Sequence, residues 1–327
     1  MPDPFLAQGG FARPVPPDGY AWWYVDAISD CGRHGLTLIL FVGSVFSPYY
    51  AWKRRQGAAD PYRHCALNIA LYGRPGAWTM TERGRGAIDI GPDRFRIGPS
   101  RAHWQGGALV FDLAERTFPW GHRVQGRVRV TPQPLIDHAV TLDTAGRHRW
   151  RPLAPRARVE VSLTHPQVAW SGPGYLDSNN GDEPLERGFS AWNWSRMVQG
   201  DDTLVLYDAT RRDGTSLNLA RSFAADCTPR DVPPPPPAQL RRGIWGVARP
   251  TRADAGTTPS LVRRLEDAPF YTRSEIRSTL LGRAAHGVHE SLDLDRFANP
   301  VVQAMLPFRM PRRARAGKAA IVPDAVP

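Results

Sequence analysis

The stretch Val124-Gln125-Gly126-Arg127-Val128-Arg129-Val130 decides the fold. Val124, Gly126, Val128 and Val130 fall on one face of an extended chain and Gln125, Arg127 and Arg129 on the other, the period of two that a half-buried β-strand produces. The same alternation returns where Val159, Val161 and Leu163 oppose Arg158, Glu160 and Ser162. Working outward, further strands are predicted at 36–42, 65–72, 108–113, 188–196, 203–207, 216–223, 273–280 and 288–294. Clusters of Gly, Pro, Asp and Asn separate them at the spacing of antiparallel sandwiches and barrels. Helical periodicity is almost absent, so the expected class is all-β.

The chain has 327 residues, enough for one large β-domain or two smaller ones. Its net charge of +11 comes almost entirely from arginine, since Lys53 and Lys318 are the only lysines. Such a surplus points to an anionic partner, nucleic acid or the face of an anionic membrane, although an arginine-rich genomic bias produces the same excess. Cys31, Cys65 and Cys227 form no disulfide framework, which suits a reducing, cytoplasmic setting. Met1-Pro2-Asp3-Pro4-Phe5 has neither the basic region nor the apolar core of a secretory signal. The apolar run 36–46 is about half of the ~20 residues that a spanning helix needs and reads as a buried strand pair.

An internal echo suggests duplication. Trp22-Trp23-Tyr24-Val25-Asp26 leads through a turn to 36–41, and Trp192-Asn193-Trp194-Ser195-Arg196 leads through Gly200-Asp201-Asp202 to 203–207. The expected organisation is an N-terminal extension over 1–18, one β-domain over 19–155, a second over 156–295, and a basic tail over 296–327. Pro233 to Pro237 reads as a stiff surface loop between two strands of the second domain. In the tail, Val301, Val302, Ala304, Met305, Leu306 and Phe308 precede Arg309, Arg312, Arg313, Arg315 and Lys318. Apolar residues followed by a basic cluster suit peripheral contact with an anionic bilayer, or equally a short helix docked on the barrel.

Chemistry concentrates between Gly172 and Glu186, where glycines, Tyr175, Asp177, Asp182, Glu183 and Glu186 crowd one segment. Its glycines and prolines break regular structure, so the acids are expected on a loop, either catalytic or simply solvated. Trp150 and Trp170 precede it, and Phe189, Trp192 and Trp194 follow. His286-x-x-His289-Glu290 has a metal-like spacing, but on a strand those side chains point to opposite faces. No glycine-rich phosphate loop or dinucleotide fingerprint occurs, so neither cofactor nor metal is expected.

Several blocks between Gly19 and about Arg313 carry a resemblance over nearly the whole chain. They are Gly19-Tyr20-Ala21-Trp22-Trp23-Tyr24-Val25-Asp26-Ala27, Gly43-Ser44-Val45-Phe46-Ser47-Pro48-Tyr49-Tyr50, His64-Cys65-Ala66-Leu67-Asn68 and Met80-Thr81-Glu82-Arg83-Gly84. Further along come Gly146-Arg147-His148-Arg149-Trp150-Arg151-Pro152, Gly174-Tyr175-Leu176-Asp177, Trp192-Asn193-Trp194-Ser195-Arg196 and Leu306-Pro307-Phe308-Arg309-Met310-Pro311-Arg312-Arg313. Together these blocks resemble the acyclic carotenoid 1,2-hydratases (hydroxyneurosporene synthases). The resemblance implies two lipocalin-like antiparallel β-barrel domains and cofactor-free addition of water to the terminal double bond of open-chain carotenoids such as neurosporene or lycopene. It places the acid and its aromatic partners in the Arg-His-Arg-Trp and Gly-Tyr-Leu-Asp segments, at Trp150, Tyr175 and Asp177.

Protonating an isolated alkene demands a carboxylic acid kept protonated by burial, because carbon is a poor base. Asp177 is the candidate donor to C2, leaving a tertiary cation at C1. Aromatic faces stabilise such a cation by roughly 2 kcal/mol each when desolvated. Trp150 and Tyr175 are the candidates, with Trp170, Trp192 and Trp194 as wall residues that bind substrate. Tyr175, Asp182, Glu183 or Glu186 could orient the water; Asp26 is a second-rank acid, and Asp208 reads as solvated. The partners expected are an acyclic carotenoid, water and an anionic membrane, here the cytoplasmic face of the inner photosynthetic membrane, with no nucleic acid. A carbohydrate-active hydrolase and a non-catalytic lipocalin-like isoprenoid carrier are the competing readings, with polyene cyclisation a third.

Overall fold

The computed structural model describes residues 10–313, so Arg315 and Lys318 of the basic tail and the first half of the N-terminal extension lie outside the described residues. The protein is mostly β, with 56% strand against 10% helix, as the period-two alternation requires. A curled sheet contains β1 (Tyr20–Ile28), β2 (Gly35–Val42), β3 (Cys65–Tyr72), β4 (Ala77–Arg83), β5 (Ile88–Ile90), β6 (Arg94–Ile97), β7 (Ser100–Gln105) and β8 (Ala108–Arg116). It continues with β9 (Arg123–Pro132), β10 (Val140–Thr141), β11 (His148–His165) and β12 (Gln167–Gly181). A second sheet has β13 (Phe189–Gln199), β14 (Asp202–Arg211), β15 (Ser216–Phe223) and β16 (Pro229–Asp231). After a two-stranded ribbon of β17 (Pro237–Leu240) and β18 (Arg249–Arg252), the second sheet resumes with β19 (Ser260–Asp267), β20 (Tyr271–Leu280) and β21 (Arg283–Asp293). The short β22 (Arg312–Arg313) adds to the first sheet parallel to β4.

The opening stretch forms the middle of β9. Val130 pairs with Val159 and Leu109, and Val128 with Val161 and Phe111, so the inward residues of three strands meet in register. They join Val25, Leu38, Leu67, Phe95 and Leu176 in one buried core, a set drawn from strands spread across the sheet. A sheet that brings one face of so many strands to one cluster must curl upon itself.

The chain divides into two compact units. The first comprises the described parts of Met1–Asp137 and Leu306–Pro327 together with Pro152–Asn180; the second comprises His138–Arg151 and Gly181–Met305. A single division at residue 155 would fall inside β11, and residues 156–180, expected with the second domain, group with the first. The physical reason is hydrogen bonding: β12 is inserted between β1 and β11. The apolar run 36–46 contributes one strand, β2, and then a turn leading to the helix Pro48–Arg54, where a strand pair was expected.

The Gly172–Asp177 segment corrects the loop expectation, because it lies within β12. Glycine favours the strand here for lack of a side chain. A Cβ on Gly172 would lie 2.0 Å from the Ile28 carbonyl oxygen, and one on Gly174 would lie 2.4 Å from Val159 Cγ2 and 2.8 Å from the Asp26 carbonyl oxygen. Pro173, between them, is exposed and keeps its ring clear of this approach. Gly172→Ala should therefore cost ~1–3 kcal/mol of stability through forced separation of β12 from β1. Gly86→Ala, whose new Cβ would meet nothing within 4 Å, serves as the control. Thermal melts should show a clearly lower midpoint for the first variant only; equal midpoints would contradict the tight approach.

Candidate functional site

In the first unit, β12 presents alternate residues to two faces. Leu176 enters the apolar core, so Tyr175 and Asp177 point to the opposite face. Strand β1 follows the same rule: Ala21, Trp23, Val25 and Ala27 enter the core, which leaves Tyr20, Trp22, Tyr24 and Asp26 opposite. The Tyr175 hydroxyl donates to Asp177 Oδ2 at 2.9 Å, and the Tyr24 hydroxyl donates to Asp26 Oδ2 at 3.1 Å. Both carboxyls are buried, at 2% and 1% exposure, although ionisable side chains are seldom enclosed without partners. The two tyrosine rings meet edge to face, with centroids 6.2 Å apart. Tyr20 stacks on Trp22 at 5.0 Å, and Trp22 meets Phe41 edge to face at 6.2 Å. Two tyrosine–aspartate pairs thus stand on neighbouring strands within an aromatic surround.

Trp170 lies earlier on β12, half-buried against the core and stacked with His34 at 6.4 Å. Near the other edge, Glu82 accepts from Ser47 Oγ and Arg312 and lies 2.9 Å from His64 Nδ1, tying β22 to β4. His64 is thereby a bonded structural residue.

The second unit contains the other predicted aromatics. Trp150, fully buried on β11, lies 5.0 Å from Tyr207 and 6.4 Å from Phe223. Trp192 on β13 reaches the same Tyr207 at 5.3 Å and meets Phe189 at 4.9 Å, so Trp150 and Trp192 share one aromatic cluster. Trp194, two residues along β13, is buried as well. His148 packs on Phe189, and burial, opposed by Asp143 and Glu183, pulls its pKa down. Two of the acids offered as water-orienting groups are engaged by cations: Asp182 with Arg149 at 3.1 Å and Glu183 with Arg147 at 2.8 Å. Asp208, expected to be solvated, binds Arg252 instead, because β18 brings that guanidinium to it. His286 and His289 diverge as strand neighbours three apart should. His286 meets Glu275 at 2.8 Å, while His289 lies between Ser195 and Ser291. Among the described residues, no group of three or more His, Cys, Asp or Glu side chains could hold a metal ion.

The family model described as "Carotenoid hydratase CrtC" matches residues 38–319. The chain belongs to the carotenoid hydratase CrtC family. It is 55% identical over 300 residues to an acyclic carotenoid 1,2-hydratase of Thiocapsa roseopersicina, covering 91% of this chain and 74% of that protein. It is 52% identical to the acyclic carotenoid 1,2-hydratase of Rubrivivax gelatinosus, over 93% of this chain and 76% of that one. In fold it is similar to the crystal structure of an AttH-type protein from Nitrosomonas europaea, with a TM-score of 0.61, 15% identity, and 88% and 98% of the two chains covered.

Of the residues singled out in this CrtC-family chain, Tyr175 and Asp177 come together in the first unit, and Trp150 and Trp192 in the second. Tyr24 was not singled out, and Asp26 was ranked second. The available signal was a repeated Tyr-x-Asp, at 24–26 and at 175–177, in strands of matching parity.

Buried histidines give the protein a defined acid sensitivity. Burial first, then Arg249, pulls His289 down to about 3; burial first, then Arg312 and Arg54, pulls His64 to about 3. Both are neutral when folded and charge on unfolding below their ordinary value of 6.5. The unfolded chain therefore binds more protons between about 6.5 and about 3, and stability should fall as pH drops through that window, by up to ~1.4 kcal/mol per pH unit for each group. Denaturant midpoints across pH should flatten in His289→Gln relative to the parent; an unchanged slope would show that His289 does not carry its share.

Proposed function

We propose that this protein adds water to the terminal C1–C2 double bond of acyclic carotenoids by acid catalysis through a tertiary carbocation, without a cofactor. The carrying observation is the buried Tyr175–Asp177 hydrogen bond at 2.9 Å, found in a chain of the carotenoid hydratase family. In this scheme Asp177 is the proton donor, held through Oδ2 by the Tyr175 hydroxyl. Transfer of that proton to C2 generates the cation at C1; water attacks C1 and loses a proton to give the tertiary alcohol. In the first unit Tyr175 stabilises the cation by its face and Trp170 binds the polyene; Trp150 is assigned an aromatic stabilising role and Trp192 and Trp194 a substrate-binding one. The two units are read as two lipocalin-like β-domains.

A carotenoid is too apolar to travel through water, so the protein is read as peripheral at the cytoplasmic face of the membrane. No helix among the described residues is long and apolar enough to cross a membrane. Support for surface contact comes from Val301 and Phe308, 70% and 74% exposed, and from Trp52, 64% exposed beside Lys53, Arg54 and Arg55.

Purified protein given lycopene or neurosporene in heavy-oxygen water should yield a labelled tertiary alcohol. Carotenoid binding without any alcohol would favour the carrier reading. Asp177→Asn keeps the shape but lacks the acidic proton, so turnover should fall ~10² to 10⁴-fold while carotenoid binding persists; parent-like turnover would remove Asp177 from its role. Trp150→Phe should lose less activity than Trp150→Ala, whereas equal losses would mean that Trp150 serves packing. Phe308→Ser should weaken co-sedimentation with anionic vesicles at low salt. Equal binding by both proteins would move the contact elsewhere.

A further inference from the structure

The carbocation reading leaves one proton without a destination: the one that water must lose once its oxygen has bonded to C1. The first unit holds a second buried carboxyl built like the first. Asp26 accepts from Tyr24 on β1 as Asp177 accepts from Tyr175 on β12. The strands are neighbours in the sheet, and their contacts fix the register. Asp30 N donates to Ser171 O at 3.0 Å, Gly172 abuts Ile28, and Gly174 abuts Asp26 and Ala27. Position numbers fall along β1 as they rise along β12, so the pair is antiparallel. Continuing that register sets Tyr175 alongside Asp26 and Asp177 alongside Tyr24, all on the face opposite the core.

We infer that Asp26, held by Tyr24, is the base that takes the proton from the attacking water, an inference that rests on the hydratase reading above. The cycle starts with Asp177 protonated and Asp26 ionised. Asp177 gives its proton to C2, and the π electrons of the C1–C2 bond form the new C–H bond, leaving C1 cationic and Asp177 ionised. A lone pair on water forms the C1–O bond, and one water proton passes to Asp26, releasing the neutral alcohol. Asp26 is now protonated and Asp177 ionised, so one proton must move between them to reset the site; the alternating carboxyl and tyrosine hydroxyl groups of the two strands supply the path. The Tyr24 hydroxyl holds the Asp26 carboxyl in place through Oδ2. Tyr24 is in this scheme a positioning residue and Asp26 a catalytic one.

The test separates protonation from water capture. Parent, Asp26→Asn, Tyr24→Phe and Asp177→Asn are incubated with lycopene in deuterated water, and both the alcohol and the recovered alkene are analysed by mass spectrometry. Without its base, the cation collapses by losing a proton from C2 or from a methyl on C1, and deuterium remains in recovered alkene. Asp26→Asn should lose hydration by on the order of 10²-fold while alkene deuteration rises relative to alcohol. Tyr24→Phe should shift the same ratio less, and Asp177→Asn should lose both products. Parent-like partitioning in Asp26→Asn overturns the inference, as does joint loss of alcohol and deuteration in a variant whose thermal melt matches the parent's. Should Asp26→Asn fail to fold, an unchanged ratio in Tyr24→Phe overturns it instead. A parent protein that forms no alcohol fails the underlying reading before any variant is compared.

Discussion

The approach of β12 to β1 at Gly172 and Gly174 governs the first unit. With side chains at these positions, the Ile28 carbonyl would meet a carbon at 2.0 Å, and the two strands could not share hydrogen bonds there. Once the glycines admit the contact, register and parity follow together. Leu176 and Val25 fall to the core, and both tyrosine–aspartate pairs fall to the other face. A slip of one residue would drive Asp177 into the apolar cluster and expel Leu176 from it, which is why core packing and site chemistry are set by the same contact.

Enclosing a carboxyl costs several kcal/mol unless hydrogen bonds replace its lost water. Elsewhere this arginine-rich chain meets the cost with guanidinium groups: Arg83 on Glu115 at 2.6 Å, Arg101 and Arg127 on Asp112, and Arg252 on Asp208. A guanidinium fixes its partner as an anion; at Asp112 arginine hydrogen bonds outweigh burial and hold the carboxyl below its ordinary range. The hydrogen bonds described above for Asp26 and Asp177 come from tyrosine hydroxyls. A neutral donor can serve a carboxyl in either protonation state, and that versatility is what proton transfer needs.

The alternation at 124–130 and 159–163 made the first core legible in the sequence, because inward and outward residues differ there in polarity. Strands at 65–72 and 216–223 have the bounds expected from the sequence. The Gly-Pro-Gly of β12 was not legible as strand, since composition alone cannot reveal that a carbonyl from β1 occupies the space a Cβ would take. That β12 groups with the first unit was hidden for a related reason: its partner β1 is more than a hundred residues away, and no local pattern encodes such a pairing. Asp208 read as solvated because Arg252, which binds it, arrives from a distant hairpin. Asp177 and Tyr175 stand out in the sequence through their motif, whereas the equivalence of Tyr24 and Asp26 emerges only when both pairs are seen on one face.

A loop would have supplied the same residues with less control. Under the proposed acid catalysis the donor must hold its place while a cation forms and water approaches, and small errors in position are costly when binding energy must be spent on orientation. The strand that bears Asp177, β12, is hydrogen-bonded between two neighbours, β1 and β11. The glycines that break a strand by propensity therefore allow this one to be gripped more closely than a bulkier sequence could be. Local conformational preference is surrendered at Gly172 and Gly174 so that the next residues along the strand, Tyr175 and Asp177, can be held rigidly.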